Sequence, residues 1–286
     1  MIKIDHLQVH YGQHLALDIT QPIAIRPGER VGIIGSNGAG KTTLLNALLS
    51  LIPSRGSFRL GASIEDIAVH LQQNNYAQTM AIRHVIETVT GKKIGQDQRL
   101  DELIDYFSFQ DSLKKKFHHL SGGQKQRLTL ILVLFQDAPL VFFDEVTSGL
   151  DFESRQGLVE LMDSWYSQSD TTLCYITHYY EELETLVDKI LMLEDGRVVC
   201  FGDKTDLFQQ YCGRSVYTLS RTPEHEALVS GFAQLKAPPH LIALQSPDQA
   251  SDERISQTLN QANVNYKRSI SDVEIMSFNA KAGRWS

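Results

Sequence analysis

The sequence predicts an α/β fold with a mainly parallel core sheet, an antiparallel β-subdomain at the N-terminus, an inserted helical subdomain and a small α/β appendage at the C-terminus. Short apolar runs at 31–34, 140–143, 173–176 and 190–193 carry no polar alternation, which is how strands buried on both faces of a parallel sheet read. Between 74 and 137 the period becomes helical, with apolar residues at Ile82, Val85, Ile86 and Val89 and again at Leu100, Leu103, Ile104 and Phe107. A Gly-rich turn after the run at 31–34 opens an apolar helical stretch through Leu44, Leu45, Leu48 and Leu49.

In chain order, Ile2, Ile4, Leu7 and Val9 alternate with polar residues and predict a strand, not the apolar core of a signal peptide. Strands follow at 15–19 and 31–34, Pro53 stops the first helix, and strands return at 58–60 and 67–71. After the helical insert and the core strands, Glu194-Asp195-Gly196-Arg197 is a hairpin turn signal. A main domain is expected over 1–213 and an appendage over 214–286. The appendage is read as strands at 216–219, 240–244 and 264–266, a helix through Ile255, Leu259 and Ala262, and a helix begun by a capping box at Ser271 and Glu274. Pro238-Pro239 marks a connecting loop within it.

Composition narrows the function. With 286 residues and 42% hydrophobic content the chain can build a proper core. Its formal charge of -7 argues against a partner that is nucleic acid, whose binding proteins neutralise phosphates with a basic excess. Three cysteines, Cys174, Cys200 and Cys212, have no metal-ligand spacing and read as reduced thiols. The most apolar run, 128–135, is far shorter than the roughly 20 residues that a membrane-crossing helix needs. His118-His119 is an adjacent pair whose side chains are expected to point apart, as a solvated linker rather than a metal site.

The chemistry sits in three motifs. Gly35-Ser36-Asn37-Gly38-Ala39-Gly40-Lys41-Thr42 fits a phosphate-binding loop, in which glycines let successive N–H groups face a phosphate on a helix N-terminus. There Lys41 would contact the β- and γ-phosphates of ATP and Thr42 would hold Mg²⁺. The buried run at 140–143 ends in Asp144-Glu145, with Asp144 expected to orient the Mg²⁺ shell and Glu145 to poise the attacking water. The third motif is Leu120-Ser121-Gly122-Gly123-Gln124, at the start of a helix.

With that third motif, in the order loop, Ser-Gly-Gly-Gln and Asp-Glu, the sequence closely resembles the ATP-binding cassette (ABC) family. The resemblance implies a P-loop NTPase fold and places Ser121, Gly122, Gly123 and Gln124 against the γ-phosphate held by an opposite subunit. It further implies that Tyr11 stacks on adenine, that Thr43 completes the loop, and that Gln72 touches Mg²⁺ and water, with Gln73 a near competitor. Ser148-Gly149-Leu150-Asp151 resembles the loop that contacts the opposite subunit, and His178 the histidine that senses the γ-phosphate. Val146 departs from the proline common after the catalytic glutamate, and Gly149 from a common alanine.

One phosphate loop and one signature per chain imply two cassettes, expected as a homodimer, closing head to tail around two ATP. By the same resemblance the chain is expected on the cytoplasmic face of the cell membrane, as the ATPase subunit of a transporter docked on an integral membrane permease. The tail loosely resembles that of bacterial drug and antibiotic exporters. The alternative from another class is a soluble cassette ATPase that remodels a macromolecular assembly.

Overall fold

A computed structural model describes residues 1–70 and 78–283. Strand β1 (Ile2–Tyr11) pairs antiparallel with β2 (His14–Ile19), with β3 (Ile23–Ile25), and, further along the chain, with β5 (Arg55–Leu60). Between them β4 (Arg30–Gly35) enters the core sheet and leads into α1 (Lys41–Leu48). That helix ends before Pro53 is reached, with Ser50 in the left-handed region at φ 57. β6 (Ile67–His70) precedes the undescribed residues, and α2 (Ile82–Thr90), α3 (Gln98–Tyr106) and α4 (Gly122–Phe135) form the helical insert.

The chain then runs β7 (Leu140–Asp144), α5 (Phe152–Tyr166), β8 (Thr172–Ile176), α6 (Tyr180–Leu186), β9 (Lys189–Glu194), β10 (Arg197–Asp203) and α7 (Lys204–Cys212). The core sheet has the order β10-β9-β4-β8-β7-β6, parallel throughout except for the β9–β10 hairpin. This is the mainly parallel α/β architecture expected from the unbroken apolar runs, and successive side chains explain why they are unbroken. On β7, Leu140 and Phe142 face the core shared with the N-terminal sheet and α1, while Val141 and Phe143 face the core shared with the helical insert. Cys174 and Ile176 against Leu173 and Tyr175 divide β8 in the same way.

After α7 come β11 (Ser215–Ser220), α8 (Pro223–Leu228), β12 (Gln234–Leu235), β13 (Leu241–Ser246), α9 (Gln249–Gln261), β14 (Lys267–Ser269) and α10 (Val273–Gly283). Their antiparallel sheet has the order β12-β13-β11-β14 and packs its own small core of Tyr217, Leu219, Ile242, Leu244, Ile255 and Leu259. Two local expectations fail here. The strand expected at 264–266 forms instead at Lys267–Ser269, because Val264 and Tyr266 turn their apolar bodies onto that core while the next residues pair with β11. The last helix is capped by Asp272, whose Oδ1 accepts from the Ile275 amide at 2.9 Å, and not by Ser271.

All three cysteines are buried, and burial pushes each thiol up to about 12, which leaves them unreactive. Among the described residues no helix is long and apolar enough to cross a membrane. The rings of His118 and His119, in a 3₁₀ turn, lie 4.0 Å apart instead of diverging. No cluster of metal-ligating side chains accompanies them among the described residues.

Candidate active site

The phosphate loop is fixed by what surrounds its glycines. Gly35 pairs with Leu193 of β9 at φ 155, and a Cβ on it would lie 2.2 Å from the Leu193 carbonyl oxygen, so no side chain fits. Gly40, left-handed at φ 99, is the N-cap that turns the loop into α1. The loop borders an open cleft of about 660 Å³ lined by Gly35, Ser36, Asn37, Gly38, Gly40, Lys41, Thr42 and Thr43. Glu145, Thr177 and His178 line it from the ends of β7 and β8, and Tyr180 from the start of α6. Ala39 points the other way, buried in the core under the N-terminal sheet.

Lys41 is only 6% exposed, and its ammonium donates to the loop's own Gly35 and Ser36 carbonyls at 2.9 and 3.1 Å. Burial lowers its pKa, with Glu145, Asp144 and Glu194 opposing that shift. Asp144, 3% exposed, accepts from the Thr42 hydroxyl at 3.1 Å, and burial raises its pKa against that hydrogen bond. Nearby Lys41 also favours its ionised form. The oxygens of Asp144 and Thr42, two hard donors, fit Mg²⁺, which takes one or two protein oxygens and fills its remaining positions with phosphate and water.

Glu145 follows Asp144 in the left-handed region at φ 52, held there by its amide donating to Ile176 and its carbonyl accepting from Ser148. That turn aims its carboxylate at His178, whose Nδ1 lies 3.6 Å from Oε1. Beneath both loops, α6 buries a carboxylate that the sequence reading overlooked. Glu182 is 3% exposed and accepts from the hydroxyls of Thr147, Thr177 and Tyr175 at 2.6, 2.7 and 2.9 Å. Its position four residues after His178 is the only sequence signal, since an acid in a first helical turn reads as a solvated dipole partner.

The remaining predicted residues do not gather in this cleft. Ser121 caps α4 in a reciprocal box with Gln124, and Ser121, Gly123 and Gln124 line a separate pocket with Arg127, Leu150, Ser154 and Leu158. Gly122 lies against Leu150 of the 148–151 loop, whose Asp151 caps α5. Gly149 adopts φ 76, a conformation that costs glycine nothing and alanine strain, and Val146 is wholly buried. Tyr11 stands 52% exposed at the end of β1, outside the cleft lining. Gln72 and Gln73 lie outside the described residues.

Comparison with known proteins settles the family. The profile described as ABC transporter matches residues 22–148. The Nod factor export ATP-binding protein I of Rhizobium etli is 30% identical over 226 residues, covering 73% of this chain and 71% of its own. This chain belongs to the ABC transporter ATP-binding family. As a family member it is an ATPase that binds ATP with Mg²⁺. The linearmycin resistance ATP-binding protein LnrL of Bacillus subtilis is 26% identical over 82% of this chain and 79% of its own. A methionine import ATP-binding protein, MetN of Corynebacterium glutamicum, is 31% identical over 65% of this chain, which spans only 57% of that relative's length. In fold, the chain is similar to a dimeric ATP-binding cassette bound to ADP and Pi, with a TM-score of 0.60 at 22% identity over 71% of this chain and 98% of that one.

Proposed function

We propose that this ABC ATPase is the motor subunit of an exporter, closing head to tail with a second copy of itself around two MgATP and driving a separate membrane permease. One observation carries the dimer: the phosphate loop and the signature open into different pockets of the same chain, so neither is a whole site. Apposing two copies by a two-fold axis supplies each loop with the other's α4 N-terminus, an anion-binding helix end. Residues 1–213 then act as the cassette and 214–286 as an accessory domain.

In this reading the amides at 36–38 and Lys41 bind the β- and γ-phosphates, and Tyr11 stacks on the adenine. Thr42, Asp144 and Gln72 hold Mg²⁺, which would neutralise charge on the phosphoryl oxygens. Glu145 orients the attacking water and His178, 3.6 Å from it, reports on the γ-phosphate. Catalysis rests on positioning and electrostatics. ATP favours the closed dimer because only there is the γ-phosphate contacted from both sides. Export is supported by two relatives named for resistance and for export, and it places the chain on the cytoplasmic face of the membrane.

Glu145→Gln tests the core of this proposal. Hydrolysis should fall about a hundredfold or more, with ATP binding retained and a dimer accumulating by light scattering when MgATP is added. Wild-type turnover in that variant would remove Glu145 from its role. In inside-out membrane vesicles given external MgATP, an exporter accumulates substrate in the lumen, and ATP-driven loss from such vesicles would reverse the direction.

A further inference from the structure

The last helix does not stay with the tail. α10 packs against α6, α7 and β10, and Val273, Ile275, Met276 and Ala280 are buried in the same core as the helical insert. This docking fixes the final turn beside the end of β9, next to the phosphate loop. Lys281 on that turn places its Nζ 2.7 Å from Oε2 of Glu194. The other oxygen of Glu194, Oε1, accepts a hydrogen bond from the Ser36 hydroxyl at 2.9 Å. Both partners of the ion pair are partly shielded, with 31% and 23% of their side-chain surfaces exposed. A chain of contacts therefore runs from the tail through one carboxylate to the second residue of the phosphate loop.

A carboxylate beside a phosphate cradle is a liability. Unpaired, Glu194 would repel the polyphosphate that the loop amides attract. Paired, it becomes a neutral acceptor that keeps Ser36 in place. Burial would raise the Glu194 pKa, but Lys281 and Ser36 hold it below the usual range, which keeps the pair charged at neutral pH.

We infer that Lys281 is a positioning residue of the nucleotide site, acting through Glu194 on Ser36, so that the C-terminal helix sets the affinity of the phosphate loop for ATP. The inference rests on the reading that residues 35–43 hold the phosphates. Neither residue needs to touch the nucleotide: the tail works by neutralising and orienting one acid.

The test is a titration of a fluorescent ATP analogue with Mg²⁺ on the full chain, alongside steady-state turnover. Lys281→Ala should weaken binding roughly three- to tenfold, leave kcat within about twofold and shrink in effect as salt rises toward about 0.5 M. Lys281→Arg should restore wild-type affinity. In a Glu194→Gln background, Lys281→Ala should change affinity by less than about twofold, because the charge it neutralises is gone. Unchanged affinity in Lys281→Ala, a loss confined to melting temperature, or an equal loss in the Glu194→Gln background would each overturn the inference. Absence of ATP binding by the wild-type chain would instead overturn the nucleotide reading on which it stands.

Discussion

Gly35 and Asp144 show how little freedom single positions have in this site. The backbone of β4 runs so close to β9 that a methyl group on Gly35 would overlap the Leu193 carbonyl oxygen, and its φ of 155 is closed to other residues. Gly35→Ala should therefore cost more than about 2 kcal/mol, read from the shift of a urea unfolding curve, and should weaken ATP binding in whatever fraction remains folded. A stability change below about 0.5 kcal/mol would mean that β4 and β9 separate at no cost. Asp144 and Lys41 are constrained by charge instead. Burial opposes the ionised form of both, and each leans on partners within the loop, Thr42 for one and the Gly35 and Ser36 carbonyls for the other.

At the scale of elements, the ends of β7 and β8 need a common anchor, and α6 provides it. Thr147 lies two residues after Glu145, Thr177 directly precedes His178, and both donate to the single carboxylate of Glu182. Arg155 of α5 approaches that carboxylate at 4.0 Å and stacks 3.9 Å over the Tyr179 ring, closing the cluster from outside. Glu182→Ala would leave three buried hydroxyls without their acceptor and should cost about 3–5 kcal/mol. Glu182→Gln, close in shape, should stay folded yet lower kcat while KM for ATP changes little, because it loosens the Glu145–His178 geometry and not the phosphate loop. Equal effects on kcat and KM in turnover assays would place Glu182 outside the alignment of these loops.

The same elements mark what the sequence made legible. The core strands could be read because burial on both faces writes an apolar run into each, and the phosphate loop because its glycines sit between a strand and a helix. β3 and β12, three and two residues long, carry no period of their own and exist through the neighbours they pair with. Glu182 was missed because its partners come from strand β8 and from two loops outside α6, and the Lys281–Glu194 pair because α10 folds back onto α6, α7 and β10.

For the whole molecule, the last helix docks onto α6 and α7, and one acid ties together three of the elements that precede it. Asp252 on α9 accepts from the Ser215 hydroxyl at the start of β11 and from both Nε and Nη2 of Arg268 on β14, while its carbonyl accepts from Tyr217. Burial would raise its pKa, but Arg268, Ser215 and Tyr217 hold the carboxyl down to about 2, against 3.8 for a free aspartate. The unfolded chain therefore binds a proton more readily than the folded one. The stabilisation is fully present above about pH 4 and is lost as pH falls toward 2. Arg268 is 39% exposed, so solvent reduces its size. Asp252→Asn should lower stability at neutral pH and flatten the acid dependence between about pH 4 and pH 2, followed by far-UV circular dichroism in urea at each pH. If the mutant curve kept the wild-type slope across that window, another carboxylate would be the acid-sensitive joint. At neutral pH the ATP affinity of the Asp252→Asn variant separates the two attachments: the docking of α10 on α6 and α7 does not use Asp252, so affinity should stay within about twofold of wild type, and a larger loss would tie this hub to the seating of α10.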